Sequence, residues 1–269
     1  MTGEGLEGLL EKLENSEKVL VGIGEEFQYD WERLISDRRY QEIEAEIGDR
    51  EAYVWITPFL QKMILQQPAD DKWKMAYDSL EKLLAGKDYF IVSLCMDDYI
   101  YSTNLEKEKI VTPCGGFRKM QCDCNCSHSL WDVPEDSFDA VKRYYRKEIP
   151  LDALQEPVCP VCGAKLRFNQ LGVTSYAEEG YLEQWQGYTR WLQSTVNRRL
   201  CVLELGVGME YPSVIRFPFE KVVFYNQKAF MYRIHSKLYQ VSEEMGGRGT
   251  GIQAAAVDYI CEKQQNVIK

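Results

Sequence analysis

Cysteine is the residue type in this chain whose spacing most clearly points to chemistry. Two tight groups lie on either side of a longer stretch, one with Cys122, Cys124 and Cys126 and the other with Cys159 and Cys162. Paired thiolates in this layout hold a tetrahedral zinc ion, because each pair forms a tight turn and the two turns close around one metal. Four thiolates leave no open coordination position, so such an ion stabilises structure and does no catalysis.

The two cysteine groups differ in how clearly they mark the ligands. Proline and glycine around Cys159 and Cys162 bend the chain so that both sulfur atoms can point inward. The first group offers three candidates for two positions, and the neighbouring His128 could replace a thiolate. A loop of unliganded thiols is the alternative, which is disfavoured because clustered free thiols are prone to oxidation.

Short motifs at the ends of apolar runs form the second group of candidate residues. They are Gly22 with Gly24, Cys95 with Asp97, and Gly206, Val207 and Gly208. If the runs are strands of a doubly wound sheet, the motifs lie beyond the carboxyl ends of strands, where such folds bind ligands. Backbone N–H groups at glycine turns can approach an anion, so the motifs predict a pocket for a phosphate or pyrophosphate group.

Each of these motifs also has a plainer structural interpretation. A Gly-x-Gly sequence is more often a simple tight turn. Glu25 and Glu26 directly follow the first such turn, and they would repel a phosphate unless they point away. Asp97 could equally cap a following helix, and the two interpretations of this residue have similar weight.

Few residues could move a proton. The chain has two histidines, His128 and His235, so it is poor in general bases. Cys114 lies in a turn-rich stretch just before the cysteine groups and could act as a nucleophile. No base stands beside it in the sequence, so a structural role is the favoured interpretation.

The apolar runs themselves predict the elements that position these residues. Strands are expected at 18–21, 88–95, 200–205 and 221–225, with the last preceding the segment 229–234. Helices are expected at 6–15, through most of 29–84, and at 252–263. Alternating strands and helices indicate an α/β fold with a doubly wound, Rossmann-like parallel sheet, interrupted by the cysteine module between the second and third strands.

Composition limits the class of protein. The 269 residues carry a net charge of −10, which argues against general affinity for nucleic acid. No N-terminal signal sequence and no apolar stretch long enough to cross a membrane are evident, so a cytoplasmic protein without membrane contact is expected. Nine cysteines, an odd number, fit metal binding in a reducing compartment better than a disulfide framework.

Taken in order, these features resemble the sirtuin family of NAD-dependent deacylases and ADP-ribosyltransferases, in which a zinc module is inserted into a dinucleotide-binding sheet. The chain is most similar to class M sirtuins, a bacterial group linked to macrodomains, over about residues 88 to 234. The matching residues beyond the cysteines and glycines are Ile149, Pro150, Asn169, Leu203, Glu204, Leu205, Pro212, Ile215, Pro218, Phe219, Asn226 and Ala229.

The resemblance implies roles for individual residues. The class M pattern has Gln-Cys, three residues, then Cys, so the implied zinc ligands are Cys122 and Cys126 together with Cys159 and Cys162, and Cys124 is left out. Two further assignments concern NAD. Asp97 matches an Asp that lies near the nicotinamide, and the stretch from Gly206 to Gly208, with Val207, matches the one that meets the adenine-ribose side.

Departures from the family are concentrated where its chemistry takes place. Cys95 stands at the position of a family Asn, and Cys114 stands where deacylating sirtuins have the catalytic His and class M members a Gln. His235 replaces an Asn expected against the adenosine ribose. The opening glycine element survives only as Gly22 and Gly24, without its trailing Asp-Phe-Arg.

The sequence therefore predicts an NAD-binding domain from residues 1–112 and 200–269, and a zinc module with a helical insertion from residues 113–199. The resemblance implies structural zinc, NAD or ADP-ribose as ligand, and a protein substrate for ADP-ribose transfer, with Cys114 at the catalytic position. One alternative is an inactive relative that binds NAD, ADP-ribose or a partner protein. The other is a structural zinc protein without a nucleotide site.

Overall fold

A six-stranded parallel sheet forms the centre of the protein in this computed structural model, which describes residues 4–28, 32–66 and 72–267. The strands are β1 (Lys18–Ile23), β2 (Asp88–Ser93), β3 (Ile110–Val111), β4 (Gly115–Cys122), β5 (Leu130–Asp132), β6 (Leu166–Gln170), β7 (Leu200–Leu205), β8 (Ala229–His235) and β9 (Gly249–Gln253). The large sheet has the order β3-β2-β1-β7-β8-β9. Its order reverses between β1 and β7, and such a reversal is where doubly wound folds bind ligands.

Helices cover both faces of the large sheet. They are α1 (Glu4–Asn15), α2 (Glu32–Ser36), α3 (Arg38–Ile47), α4 (Ile56–Leu65), α5 (Lys72–Leu84), α6 (Glu135–Tyr145), α7 (Leu182–Gln193), α8 (Arg216–Tyr225) and α9 (Ala256–Val267). Residues of α1, α5 and α9 share a core with Val19 and Val21, whereas α7 and α8 pack on the other face with Leu20 and Val202. Strands buried on both faces need continuous apolar sequence, which is why these runs do not alternate.

A second, antiparallel sheet in the order β5-β4-β6 carries the cysteines. Aromatic side chains join it to the helical layer that follows β1. Phe168 of β6 lies 4.9 Å from Phe59 of α4 and 5.3 Å from Phe117 of β4, measured between ring centroids. These rings pack the small sheet against α4.

One strand prediction is wrong. Residues 221–225 are the second half of α8, and the strand lies after them as β8. Phe219, Val223 and Asn226 are buried at helical spacing, whereas Phe224 is 43% exposed. In a short apolar stretch of a helix, one residue in every three or four is buried. Composition alone does not distinguish such a stretch from a buried strand.

Of the three helix predictions, the one at 6–15 is confirmed by α1 and the other two hold in part. Most of the stretch from 29 to 84 is helical in α2 to α5, although residues 29–31 and 67–71 lie outside the described residues. The expected helix at 252–263 begins later, at Ala256, because Gly249–Gln253 form the edge strand β9. No helix within the described ranges is long and apolar enough to span a bilayer.

Candidate functional site

Four cysteine sulfur atoms converge at one end of the small sheet. The sulfurs of Cys122, Cys126, Cys159 and Cys162 all lie within 4.8 Å of one another. Two of the separations are 3.4 Å, between Cys122 and Cys162, and 3.7 Å, between Cys126 and Cys159. A tetrahedral zinc ion with Zn–S bonds of about 2.3 Å requires sulfurs about 3.8 Å apart. The cluster therefore fits zinc.

Two tight turns bring these sulfurs together. After β4, the N–H of Asn125 donates to the carbonyl of Cys122 over 2.8 Å, and Asn125 has a left-handed backbone with φ of 44°. In the second turn the N–H of Gly163 donates to the carbonyl of Cys159 over 2.9 Å, and Gly163 has φ of 74°. Asn and Gly are the residues that adopt this conformation most readily.

The other candidates for this cluster lie outside it. Cys124 is exposed and does not belong to the group of converging sulfurs. His128 is also exposed, and its Nδ1 lies 3.4 Å from a carboxylate oxygen of Glu179. The structure thus brings together Cys122, Cys126, Cys159 and Cys162, as the resemblance implied. Cys124 and His128, which spacing alone left open as ligands, lie outside the cluster.

Backbone groups of the two glycine turns meet at the carboxyl edge of the large sheet. Gly22 pairs with Glu204 in the register of β1 and β7, and the N–H of Gly24 donates to the carbonyl of Leu205 over 2.9 Å. A Cβ atom on Gly24 would lie 2.3 Å from the Cα of Val207, which only glycine avoids. The predicted convergence of these turns is present, and they touch through their main chains.

Glu25 closes this contact with its side chain. Its Oε2 accepts a hydrogen bond of 2.7 Å from the N–H of Gly208. Its Oε1 is buried, and no described residue gives it a hydrogen bond. The carboxylate thus points toward the edge of the sheet, which is the orientation that would repel a phosphate there.

Glu26 makes the equivalent contact at the end of β8. Its carboxylate accepts from the N–H of Ser236 over 3.1 Å and also from the Ser236 hydroxyl. The Nδ1 of His235 lies 3.1 Å from Glu26 Oε1 but accepts hydrogen bonds from the N–H groups of Lys237 and Leu238. Burial lowers the pKa of His235, with Glu26 acting in the opposite direction. The imidazole is therefore neutral at neutral pH, and its contact with Glu26 is a close approach without an ion pair.

The motif after β2 is buried beside Gly24. Cys95 is 1% exposed and its thiol donates to the carbonyl of Gly24 over 3.4 Å. Burial raises the pKa of Cys95 well above its ordinary value, and Asp97 acts in the same direction. The carboxylate of Asp97 accepts from the N–H of Tyr99 over 2.7 Å, an Asx-type turn that directly precedes the helical turn Tyr99–Ser102, whose first flanking residue is Asp98.

Cys114 lies at the junction between the small sheet and the large one. Its side chain is fully buried, and its carbonyl accepts from the N–H of Leu171 over 2.9 Å. Burial raises its pKa to about 12, and the nearby Glu210 and Glu25 carboxylates add to the effect. The thiol is therefore protonated at neutral pH and is a poor base or nucleophile as it stands.

Sequence reasoning missed two residues near this edge. Asp98 is 4% exposed, accepts from the N–H of Phe117, and has φ of 59°. Burial raises its pKa to about 7, although Arg118 acts in the opposite direction. Tyr77 of α5 is 1% exposed, and no described residue hydrogen-bonds its hydroxyl. Asp98 follows Asp97 directly, but no sequence signal marks Tyr77, because a tyrosine at a helical core position is ordinary.

Comparison with curated proteins finds two relatives with informative names. A protein ADP-ribosyltransferase of Staphylococcus aureus is 21% identical over 231 residues, covering 84% of this chain and 72% of that protein. A probable bifunctional ADP-ribose hydrolase/ADP-ribosyltransferase of Fusarium oxysporum is 30% identical over 147 residues, covering 51% of this chain and 24% of that protein. No family model matches the chain.

Comparison with solved structures establishes the fold. Sir2Tm bound to a propionylated peptide superposes with a TM-score of 0.58 at 14% identity, and both chains are covered completely. An ADP-ribose complex of a mutant Sir2 homologue gives a TM-score of 0.55 at 13% identity, covering 100% of this chain and 98% of the other. The protein has the sirtuin fold, and the resemblance inferred from the sequence is confirmed at that level.

Proposed function

We propose that this protein binds NAD at the carboxyl edge of the large sheet, cleaves its nicotinamide–ribose bond, and transfers ADP-ribose to a protein acceptor or to water. The observation that carries the proposal is the meeting of the turns at Gly24 and Gly206 beside the switch point between β1 and β7. The Staphylococcus aureus relative named as a protein ADP-ribosyltransferase supports it, since the alignment covers 84% of this chain.

The proposed site assigns the backbone of both glycine turns to the dinucleotide. Gly22 and Gly24 on one side, and Gly206, Val207 and Gly208 on the other, would line its phosphates and adenosine ribose. His235 would lie against that ribose. Cys95 and Asp97 would lie at the nicotinamide end, with the buried Tyr77 hydroxyl close by.

The reaction needs little proton transfer in its first step. The glycosidic C–N bond breaks and its electron pair leaves with nicotinamide, while a lone pair of the acceptor forms the new bond to C1′ of the ribose. The acceptor then loses its proton to water, because the Cys114 thiol is itself protonated. Positioning of the dinucleotide, more than a base, governs departure of the leaving group.

The protonated thiol of Cys114 also predicts weak deacylation. In deacylating sirtuins, to which the chain is similar, a histidine stands at the position of Cys114. A positioned acid or base contributes roughly 10²–10⁴-fold to a rate. A buried thiol with a pKa of about 12 cannot supply that contribution at neutral pH.

Zinc would act on the site through β4. The strand begins one residue after Cys114 and ends at Cys122, a proposed zinc ligand. A structural zinc ion would fix the far end of this strand and therefore the position of Cys114. The metal would have no open coordination position for substrate.

The test is incubation of the purified protein with labelled NAD and an acetylated peptide, following nicotinamide and free lysine together. We expect slow nicotinamide release, label on protein or in free ADP-ribose, and little deacetylation. Asp97→Ala serves as the matched variant, with release expected to fall. Robust deacetylation would contradict the argument from Cys114.

A second candidate is a binding protein without catalysis. It is favoured by the replacement of both family polar groups by buried thiols, at Cys95 and Cys114. Calorimetry with NAD and ADP-ribose distinguishes the candidates when combined with the release assay. Binding without nicotinamide release at high protein concentration selects the second candidate. If neither NAD nor ADP-ribose binds, both candidate functions are rejected.

A further inference from the structure

The two glutamates after the first glycine turn occupy backbone donors at the edge of the sheet. Glu25 accepts from the N–H of Gly208 over 2.7 Å, and Glu26 accepts from the N–H of Ser236 over 3.1 Å. N–H groups at such strand ends are the donors that bind anionic ligands in doubly wound folds. In this protein they are taken by carboxylates of the same chain.

The carboxylate of Glu25 is held by fewer hydrogen bonds than that of Glu26. The Glu26 carboxylate has hydrogen bonds from both the N–H and the hydroxyl of Ser236. The Glu25 carboxylate has one hydrogen bond, and its buried Oε1 has no partner among the described residues. A buried carboxylate oxygen without a hydrogen bond costs free energy, so Glu25 is the easier of the two to displace.

The backbones on either side are fixed, so displacement is confined to a side chain. The N–H of Glu26 donates to the carbonyl of Gly206 over 3.1 Å. The guanidinium of Arg216 holds the carbonyl of Val207 over 2.9 Å. Gly208 therefore cannot turn its N–H elsewhere, and rotation of the Glu25 side chain is the motion that frees this donor.

We propose that Glu25 is a specificity-determining residue that competes with anionic ligands for the N–H of Gly208. The inference rests on the proposed function in taking a dinucleotide as the natural ligand. A phosphate entering this edge must displace a carboxylate and is repelled by its charge until it does. The intact site consequently discriminates against pyrophosphate compounds that bind only through their phosphates.

Removing the competitor should strengthen anion binding. A hydrogen bond to a charged group corresponds to roughly a ten- to hundred-fold change in an equilibrium constant. Glu25→Ala removes both the acceptor and the charge, and we expect it to tighten binding by this factor. Glu25→Gln keeps an oxygen that can accept from Gly208, so we expect a smaller gain.

Calorimetry at constant ionic strength tests this order with two probes, ADP-ribose and inorganic pyrophosphate. The matched control is Glu14→Ala, which removes one exposed carboxylate from α1, at the opposite edge of the sheet. Thermal melting checks that each variant is folded. If Glu25→Ala does not fold, Glu25→Gln carries the comparison.

The outcomes separate this inference from the proposed function. Tighter binding of both probes by the Glu25 variants, with Glu14→Ala unchanged, supports the inference. Tighter binding of pyrophosphate alone, with no ADP-ribose binding by any variant, supports competition by Glu25 and rejects the nucleotide. Equal affinities for wild type and the Glu25 variants overturn the inference, as does failure of both probes to bind any variant.

Discussion

The cysteine cluster and the carboxyl edge of the large sheet use their side chains in opposite ways. In the cluster, four side chains from two distant turns converge on a common point, and the backbone serves only to aim them. At the sheet edge the backbones touch each other, and the side chains of Glu25, Glu26 and Cys95 bond to main-chain groups of the same chain.

This difference explains which residues the fold can lose. A tetrahedral site has no substitute for a missing ligand, so each cysteine of the cluster is needed for the module. The sheet edge depends on glycines that permit close approach, and the polar side chains around them are not needed for that contact. A chain can therefore keep the sirtuin fold with Cys95 and Cys114 at the positions where the resemblance implies polar side chains in sirtuins.

The largest effect is expected at the cluster. Cys159→Ser should lose zinc and unfold the module, because binding of structural zinc contributes about 10–16 kcal/mol to folding in zinc-finger peptides. Cys124→Ser, outside the cluster, should keep both metal and melting temperature. Metal analysis and thermal melting of protein purified without chelator measure both.

Two results would contradict this account of the cysteine cluster. The first is a wild-type protein that is well folded and free of metal. The second is loss of zinc in Cys124→Ser with retention in Cys126→Ser, which would mean that the coordinating pair had been assigned wrongly.

The next effect is expected at the sheet edge, where the backbone should matter most. Gly24→Ala would place a Cβ atom 2.3 Å from the Cα of Val207 and 2.5 Å from the carbonyl oxygen of Gly206. Neither backbone atom can move without disturbing the β1–β7 pairing, so the free energy of unfolding is expected to fall by about 3 kcal/mol or more.

Gly187→Ala is the matched control for that substitution. Gly187 lies inside α7, and nothing lies within 4 Å of its added Cβ. Alanine there should stabilise the helix by about 0.5–1 kcal/mol. Urea denaturation gives both values. Equal stability of Gly24→Ala and wild type would show that the edge is not held by backbone contact.

The two regions were also unequally predictable from the sequence. A metal cluster could be predicted because metal geometry imposes a spacing that is visible in one dimension, whereas the choice of Cys126 over Cys124 came from the resemblance. The strands β2 and β7 could be predicted because burial on both faces demands apolar runs, although β2 ends at Ser93, two residues before the predicted end. The orientation of Glu25 could not, since it depends on the register that brings Gly208 beside it from a distant part of the chain.

Errors and omissions share a physical reason. The segment 221–225 resembles a strand because three apolar residues in a row satisfy both periods. Only packing shows that Val223 is buried and Val222 partly buried, whereas Phe224 is exposed. Asp98 and Tyr77 carry no local pattern. Their importance arises from burial, which is a property of the assembled fold.

A further effect, which depends on pH, is expected at Asp98. Its pKa of about 7 in the folded protein lies above the ordinary value of 3.8, so the folded protein binds this proton more tightly than the unfolded chain. Stability from this group is therefore highest at low pH and falls as pH rises toward 7. Asp98→Asn should be more stable than wild type by up to about 4 kcal/mol at about pH 8 and nearly equal at about pH 4.

Asparagine suits this position for two further reasons. It tolerates the left-handed backbone of residue 98 and can still accept from the N–H of Phe117. Asp49→Asn, at an exposed position, is the control for loss of one charge. Urea denaturation across this pH range measures the difference. A constant difference between Asp98→Asn and wild type at all pH values would contradict the raised pKa.

The smallest effect is expected at Cys114, and it separates the two regions most sharply. Its thiol is fully buried and has a pKa of about 12, whereas Cys124 is exposed. Alkylation requires an accessible thiolate. Iodoacetamide at mildly alkaline pH should therefore modify Cys124 and leave Cys114 unmodified, as mass spectrometry of the folded protein will show.

The same argument extends to turnover. A residue that transfers a proton in the transition state contributes roughly 10²–10⁴-fold, and a permanently protonated thiol contributes nothing of that kind, so Cys114→Ala should change nicotinamide release by no more than about twofold. Asp97→Ala, at the same edge, should reduce it more. A hundred-fold fall in Cys114→Ala with an unchanged melting temperature, or rapid alkylation of Cys114, would mean that the thiol becomes exposed and ionised when NAD binds. The sheet edge would then contain a functional side chain after all.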